Sequence, residues 1–199
     1  MRWNHPTRGP LGPDLFVGMA EETGHIRALT DHVLAQTIAD QKVLRAAGHD
    51  LLLSVNISGR LIDDADFAER AIEQVVREGA RLCFEITETA VIGNPDVALA
   101  VLERFDAAGI SVSIDDYGSG LSSLAYLKQI RADELKIDKA FVMTLQAGGK
   151  DALLVKSTID LAHSLGMKVT AEGVETREAL AVLRLMGCDL AQGYHVARP

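Results

Sequence analysis

Polar and charged side chains follow short apolar runs at six places along the chain. They are Asn56, Glu85, Glu88, the adjacent pair Asp115 and Asp116, Lys136, Asp138, Glu172, Glu175 and Gln192. A single Asp at such a place is commonly a turn residue, and a Glu fits the first turn of a helix. The whole set needs another explanation, because so many carboxylates in one cavity repel each other unless cations or bound protons neutralise them.

Oxygen-rich clusters of this kind suit Mg²⁺, Mn²⁺ or Ca²⁺. Asp115 and Asp116 could bridge two ions, the arrangement that stabilises the attacking and leaving oxygens in phosphate-ester hydrolysis. Lys136 would then contact a phosphate or orient the attacking water, and Glu172 could complete the site. These residues therefore predict a metal-dependent phosphoesterase.

Two other reactions could use the same lysine. One is metal-assisted proton abstraction with Lys136 as the base, as in enolase-type barrels, and the other is Schiff-base chemistry at Lys136. Proton abstraction does not require the Asp115–Asp116 pair, and Schiff-base chemistry does not explain the carboxylates. Composition and spacing favour phosphoester hydrolysis but leave both alternatives open.

Strands and helices that alternate from residue 51 onward must position these groups. Short runs rich in Val, Ile and Leu predict strands over 51–57, 81–86, 110–114, 134–137, 167–171 and 189–191. Helical spacing predicts helices over 66–78, 95–108, 150–165 and 176–186, with a further segment over 121–130. The first fifty residues are predicted to be mostly helical, over 13–22 and 30–47. Such alternation predicts parallel strands joined by right-handed crossovers.

Six strands fit either an open doubly wound sheet or part of a closed (β/α)8 barrel. In a barrel, the carboxyl ends of all strands converge on the face that holds the active site. An open sheet would spread the same groups along an edge, where one substrate could touch only a few. Because every predicted strand ends in a polar residue, we expect an α/β fold of the TIM-like barrel type, with 1–199 as a single domain.

The composition narrows the possible partners. With 48% apolar residues, 24% charged residues and a net charge of −8, the chain is typical of an ordinary globular domain and not of a DNA- or RNA-binding one. A phosphate ligand remains possible if divalent cations mediate the contact. No apolar run suggests a membrane span or a secretory signal. Cys83 and Cys188 are expected to be core thiols, which suits a reducing cytoplasm.

Six ordered motifs resemble those of the EAL-domain cyclic di-GMP phosphodiesterases. They are SVNIS at 54–58, EITE at 85–88, DDYGSG at 115–120, LKID at 135–138, AEGVET at 171–176 and QGY at 192–194. The segment RWNHP at 2–6 is similar to the one that follows the motif naming the family. The resemblance implies a (β/α)8-type barrel with one antiparallel strand. It also implies hydrolysis of cyclic di-GMP to linear pGpG at a site for two Mg²⁺ or Mn²⁺ ions, with Ca²⁺ inhibitory.

The resemblance also implies a role for each matching residue. The implied metal ligands are Asn56, Glu85, Asp115, Asp116 and Glu172. Lys136, Glu172 and Asp116 are implied to be catalytic, with Lys136 contacting the nucleophilic water. Glu88 would hold the loop after the aspartate pair, Arg2 would meet a substrate phosphate, and Glu175 and Gln192 would shape the site.

Two departures from the family pattern stand out. Tyr117 and Ser119 are conservative changes in the loop, but Leu121 is less so and could weaken the coupling of substrate, metal and dimerisation. The Glu-Ala-Leu motif, whose glutamate is a metal ligand in the family, is expected just before Met1, and a closing helix after Pro199. We therefore expect an EAL-type domain that is incomplete at its N-terminal end.

The resemblance further implies a cytoplasmic, bacterial protein that binds cyclic di-GMP and forms a homodimer. Sensory or GGDEF-type domains are expected to flank it in a longer protein. Because the motif glutamate is absent, two alternatives stay open for these 199 residues: a catalytically inactive cyclic di-GMP receptor, or an inactive fragment.

Overall fold

A six-stranded parallel sheet forms the centre of the computed structural model, which describes residues 1–118, 127–145 and 149–198. Its strands are β3 (Leu53–Asn56), β4 (Leu82–Thr87), β5 (Ser111–Tyr117), β6 (Glu134–Ile137), β7 (Lys168–Ala171) and β8 (Leu190–Ala191). Each strand pairs with the one before it, so the spatial order follows the chain order. In a doubly wound sheet the strand order reverses at a switch point, whereas in a barrel the strand order follows the chain. The predicted TIM-like architecture with six strands is therefore confirmed.

Helices connect the strands and pack against one side of the sheet. They are α1 (Val17–Glu22), α2 (Ile26–Ala46), α3 (Gly59–Ile62), α4 (Ala65–Glu78), α5 (Glu88–Gly93), α6 (Pro95–Ala107), α7 (Lys139–Met143), α8 (Lys150–Ser164) and α9 (Arg177–Leu185), with a short 3₁₀ turn at Pro13–Leu15. The four predicted helices after residue 50 are confirmed with ends shifted by one residue or less. Most of the predicted segment 121–130 lies outside the described residues.

The N-terminus differs from the prediction. Residues before 12 form an antiparallel hairpin of β1 (Trp3–His5) and β2 (Gly9–Leu11), which the sequence analysis missed. In the turn, Nδ1 of His5 accepts hydrogen bonds from the backbone N–H groups of Thr7 at 3.2 Å and Arg8 at 3.3 Å. Three-residue strands carry too little periodicity to be recognised from sequence.

The two faces of the sheet have opposite character because side chains alternate along each strand. On the helix side, Phe84 and Ile114 are fully buried, and the Phe84 ring meets Phe105 of α6 edge-to-face at 5.0 Å. The other face is polar: Ser113 of β5, Lys136 of β6 and Thr170 of β7 lie on it, and all three are at least 95% buried. The sheet therefore encloses a polar interior, as expected for the inside of a barrel that holds a site.

Two predicted strand boundaries were wrong by two residues or more, and the others differ by one residue or less. Leu51 and Leu52 do not belong to a buried strand, since they are 50% and 47% exposed and β3 begins at Leu53. At the other end, β5 continues through the aspartate pair to Tyr117 instead of ending at Ile114. Its pairing with β6 shifts between Ile114 and Tyr117, which is a β-bulge, and an alternation pattern cannot anticipate the extra residue of a bulge.

Both cysteines are free. Cys83 is buried in β4, where burial and the nearby charge of Glu134 raise the pKa of its thiol to about 12. Cys188 is only partly buried and lies just before β8. Neither thiol is activated as a nucleophile, because a raised pKa keeps it protonated at neutral pH.

Loop carboxylates fasten the amino-terminal end of the sheet. The Oδ2 atom of Asp133, just before β6, accepts a hydrogen bond at 2.9 Å from the backbone N–H of Val112 in β5. Oδ2 of Asp189, just before β8, accepts a hydrogen bond at 2.8 Å from the backbone N–H of Val169 in β7. The same oxygen lies 2.7 Å from Nε2 of His163. These bonds lie at the end of the sheet away from the polar strand ends, so we assign them a role in the stability of the fold.

Asp189→Asn tests this fastening through its pH dependence. Burial by itself would raise the pKa of Asp189, but the hydrogen bonds from His163 and Val169 outweigh it and hold the pKa below its usual 3.8. A lowered folded pKa gives stability that is complete above the unfolded value and is lost as the pH falls through the folded one. We expect the variant to lower Tm at pH 6 by roughly 2–4 °C.

The Tm difference between wild type and Asp189→Asn should narrow as the pH is lowered below 3.8. Thermal melts from neutral to strongly acidic pH measure it. Asp160→Asn is the control, because Asp160 forms an exposed pair with Lys156 on α8 and should matter little at any pH. If the Tm of Asp189→Asn stayed below that of wild type by the same amount down to the lowest pH, the role assigned to Asp189 would be contradicted.

Candidate active site

Lys136 lies at the centre of the polar interior. Its Nζ is 2.6 Å from Oε1 of Glu172, 3.2 Å from Oε2 of Glu85 and 3.2 Å from Oδ1 of Asp115. The lysine side chain is 5% exposed, and the three carboxylates are between 12% and 21% exposed. We call these four residues the lysine–carboxylate cluster.

The topology explains why the cluster forms. Glu85 lies near the end of β4, Asp115 near the end of β5, Lys136 in β6, and Glu172 directly after β7. These four strands are neighbours in the sheet and run in the same direction. Their carboxyl ends therefore converge, as the sequence analysis expected.

The carboxylates hold Lys136 in its charged form. Burial would lower the pKa of Lys136, but the hydrogen bond to Glu172 and the charges of Glu85 and Asp115 more than offset burial, so the pKa lies above its usual value. Burial raises the pKa of Glu172, and the nearby ammonium only partly opposes this. The lysine is thus an ammonium ion that neutralises part of the negative charge around it.

A second group of carboxylate oxygens overlaps this cluster, because it shares Asp115 and Glu172 with it. Asp115, Asp116 and Glu172 each offer a carboxylate oxygen, and the three atoms lie within 4.8 Å of one another. Three carboxylates at this spacing are a donor set that hard cations such as Mg²⁺ and Mn²⁺ prefer. The residues therefore fit a divalent metal site.

Asp116 adopts an unusual conformation at the bulge of β5. Its φ is +56°, the one positive value at a non-glycine residue within the described chain, and its N–H donates to Oδ1 of Asp115 at 3.1 Å. Burial, the charge of Asp115 and a hydrogen bond with Asp138 raise the pKa of Asp116 to about 6. Such strained residues persist where the surroundings fix them, and here the bulge directs adjacent aspartates toward one site.

Glu88 holds the backbone that follows the aspartate pair. Its side chain is buried at the start of α5, and Oε2 accepts a hydrogen bond from the N–H of Gly118 at 2.9 Å. This bond fastens Gly118, and the role of Glu88 in positioning the loop stays a prediction. Ser119 and Leu121, two of the departures noted in the sequence, lie outside the described residues.

Asn56 lies one strand further along the same edge. It pairs in register with Glu85 at the end of β3, and its side chain is exposed. Asn56 is therefore placed on the rim of the site, next to a residue of the lysine–carboxylate cluster.

Arg2, Glu175 and Gln192 lie outside the lysine–carboxylate cluster. Arg2 precedes the hairpin, Glu175 lies between β7 and α9, and Gln192 follows β8; all three side chains are exposed. The backbone N–H of Gln192 donates to the carbonyl of Ala171 at 2.9 Å, which ties the end of β8 to β7. Within residues 1–118, 127–145 and 149–198, none of the three forms an ion pair with the cluster.

Asp138 follows β6, and the sequence pattern alone indicated no specific role for it. The Asp138 side chain caps α7 by accepting a hydrogen bond from the N–H of Ala140 at 2.7 Å, and it also contacts Asp116. An Asp directly before a helix is a recognisable N-cap signal, so this half of its role could have been found. Its contact with Asp116 depends on the tertiary fold.

Gly173 was also missed, and it fixes the turn that carries Glu172. Its φ is +68°, and an added Cβ would lie 2.6 Å from Cβ of Lys139. The close approach of the two backbone segments holds Glu172 beside Lys136. A side chain at 173 would have to displace one of them.

Gly173→Ala and Gly166→Ala form a matched pair that tests this constraint. Gly166 has a similar φ of +81°, but nothing lies within 4 Å of its added Cβ. We expect Gly166→Ala to cost about 1 kcal/mol from backbone strain alone. Gly173→Ala should cost about 2–4 kcal/mol and also weaken Mn²⁺ binding about tenfold, because Glu172 moves.

Denaturant unfolding and Mn²⁺ titration by electron paramagnetic resonance measure the two effects. Equal loss of stability in both variants, with unchanged Mn²⁺ affinity in each, would show that the turn does not position Glu172.

Comparison with known proteins gives consistent matches. The family model of the EAL domain matches residues 1–199. The cyclic di-GMP phosphodiesterase NbdA of Pseudomonas aeruginosa is 42% identical over 203 residues, which cover 100% of this chain and 26% of that protein. MucR of the same organism, a bifunctional diguanylate cyclase and cyclic di-GMP phosphodiesterase, is 36% identical and is covered to 30%.

Solved structures agree with this similarity. The phosphodiesterase PaMucR in complex with c-di-GMP superposes with a TM-score of 0.93 at 35% identity, covering 100% of this chain and 82% of that one. An EAL-domain protein from Listeria monocytogenes gives a TM-score of 0.86 at 30% identity, covering 100% and 78%. The chain spans about a quarter to a third of the length of the two curated relatives named above. In the part of the chain that the structure describes, no helix is both long and apolar enough to cross a membrane.

Proposed function

Because this chain belongs to the EAL-domain family, we propose that it hydrolyses cyclic di-GMP to linear pGpG with two divalent cations, Mg²⁺ or Mn²⁺. The relatives NbdA and MucR are named as cyclic di-GMP phosphodiesterases, and the structure of PaMucR is a c-di-GMP complex. Sequence identity of 36–42% over the whole chain supports the same substrate for this protein.

The observation that carries the proposal is the convergence of carboxylates on one buried lysine. Glu85, Asp115 and Glu172 meet around Lys136 at the carboxyl ends of parallel strands, and Asp116 adjoins them. Barrel enzymes hold their active sites at this end of the sheet. A structural ion pair would need one carboxylate, whereas a site for cations and a phosphodiester needs several.

The residues that would hold the cations are those the fold brings together. Asp115, Asp116 and Glu172 form the central donor set, and Glu85 and Asn56 extend it along the neighbouring strands. Bound divalent cations would neutralise charge at the phosphate and lower the pKa of a bound water.

The three carboxylates that surround Lys136 favour phosphate chemistry over the two alternatives. A general base in proton abstraction and a Schiff-base nucleophile must both be neutral amines. The surrounding carboxylates instead raise the pKa of Lys136 above its usual value. An ammonium ion can orient the attacking water or contact a phosphoryl oxygen, and we assign it that role.

The product defines which bond breaks. In forming pGpG, the water oxygen bonds to phosphorus while the bond from phosphorus to the ribose 3′ oxygen breaks. The proton that the water gives up balances the one that the leaving 3′ oxygen takes up. The carboxylates and Lys136 would orient the water, and Glu172, which belongs both to the donor set and to the lysine–carboxylate cluster, would accept its proton.

Arg2, Glu175 and Gln192 are proposed to contact the substrate from the rim of the site. Their side chains are exposed, as groups that meet a ligand from solution must be. The homodimer, the flanking sensory or GGDEF-type domains and the cytoplasmic location stay predictions of the resemblance.

Hydrolysis of cyclic di-GMP in Mg²⁺ or Mn²⁺, followed by chromatography of pGpG, tests the proposal. Asp115→Asn should lower the rate at least about a hundredfold, because it removes a proposed ligand shared by the cluster and the metal site. Asp160→Asn, an exposed change on α8, should leave the rate unchanged.

The assay should be run on these 199 residues and on a version extended upstream, because the chain spans only 26% of NbdA and 30% of MucR. Hydrolysis by the extended version alone supports the function and assigns it to the longer protein. If both versions are folded and bind cyclic di-GMP without cleaving it, the proposal is wrong and a receptor role replaces it.

A further inference from the structure

The Lys136 ammonium forms three ion pairs within the site. An ammonium group has three N–H donors, and Lys136 Nζ lies within 3.2 Å of three separate carboxylates. Its side chain is 5% exposed, so water does not replace these contacts. Few lysines are buried to this extent, and those that are need such compensation.

The same carboxylates serve as the proposed metal ligands. Asp115 and Glu172 belong both to the set that contacts Lys136 and to the set whose oxygens lie within 4.8 Å of one another. Glu85, the third contact of Lys136, is a further proposed ligand. A divalent cation and the ammonium therefore draw on the same negative charge, and two cations this close repel each other.

Within the described residues, Lys136 is also the cation that offsets part of this charge. Each of the three carboxylates has Lys136 as its ion-pair partner. Removing one partner of a buried ion pair is strongly destabilising, because the remaining charge is left without compensation. Here three carboxylates would be left facing one another.

We propose that Lys136 is an internal cation that holds the carboxylates together in the metal-free protein, and that a divalent ion displaces its ammonium from at least one of them on binding. This inference rests on the proposed function for the location of the metal. It assigns the lysine a second role beside its contact with water or phosphate: the ammonium keeps the carboxylates together when no metal is bound, and it lowers metal affinity by competition.

Lys136→Met tests the first half in protein stripped of metal with EDTA. The variant removes the charge and keeps an unbranched side chain of similar length. We expect Tm to fall by about 6–12 °C. Lys156→Met is the matched control, because it removes a lysine from an exposed pair with Asp160 and should change Tm by less than about 2 °C.

Adding Mn²⁺ tests the second half. The Tm of Lys136→Met should rise more than that of wild type, and titration by electron paramagnetic resonance should show Mn²⁺ binding at least about tenfold tighter in the variant. A lysine that only supports the fold would lower Tm without strengthening metal binding. Equal Mn²⁺ affinity in the two proteins, or weaker affinity in the variant, overturns the proposed displacement.

The double variant Lys136→Met/Glu172→Gln keeps the test decisive if Lys136→Met fails to fold in EDTA. Removing one carboxylate relieves the repulsion, so the double variant should regain metal-free stability relative to Lys136→Met. No recovery by the double variant and none in Mn²⁺ would contradict the inference. So would a metal-free Lys136→Met as stable as Lys156→Met.

Failure of this inference can be distinguished from failure of the proposed function. Wild type that hydrolyses cyclic di-GMP while Lys136→Met shows no stability or affinity change would refute the internal cation and leave the function intact. If Lys136→Met showed the predicted changes in Tm and Mn²⁺ affinity but wild type did not hydrolyse cyclic di-GMP, the proposed function would be refuted and the internal cation supported.

Discussion

Electrostatic repulsion among carboxylates is the constraint on which the site depends. Glu85, Asp115 and Glu172 converge where three parallel strands end, and without a cation at their centre the arrangement would oppose folding. The ammonium of Lys136 supplies that cation in the structure. The apolar face of the sheet offsets the remaining cost, because Phe84 and Ile114 on adjacent strands are fully buried beneath the helices.

The backbone sets the directions of these groups. The bulge in β5 turns Asp116 to a positive φ beside Asp115, and Glu88 fastens the backbone after it through Gly118. On the other side, the close approach at Gly173 fixes Glu172. Positions that depart from regular strand geometry thus lie next to the groups proposed to do chemistry, while the opposite end of the sheet is fastened by Asp133 and Asp189.

Much of this arrangement could be predicted from the sequence. Alternating strands and helices specify a parallel sheet, and parallel strands bring their terminal residues together, so the meeting of Asp115 with Lys136 follows from pattern alone. The β1–β2 hairpin, the bulge and the Lys139 approach to Gly173 could not be predicted. They depend on short elements or on contacts between distant segments, which leave no periodic signal. The substrate came from ordered motifs, since strand-end carboxylates alone leave several reactions open.

The most direct test of the account is a crystal structure of the protein grown with Mn²⁺, with the metal located by its anomalous scattering. The account predicts density among the carboxylates of Asp115, Asp116 and Glu172, and a Lys136 ammonium that has left at least one of its three partners. Mn²⁺ bound elsewhere, with Lys136 still contacting Glu85, Asp115 and Glu172, would contradict it, because the cluster would then be a structural ion network and not a metal centre.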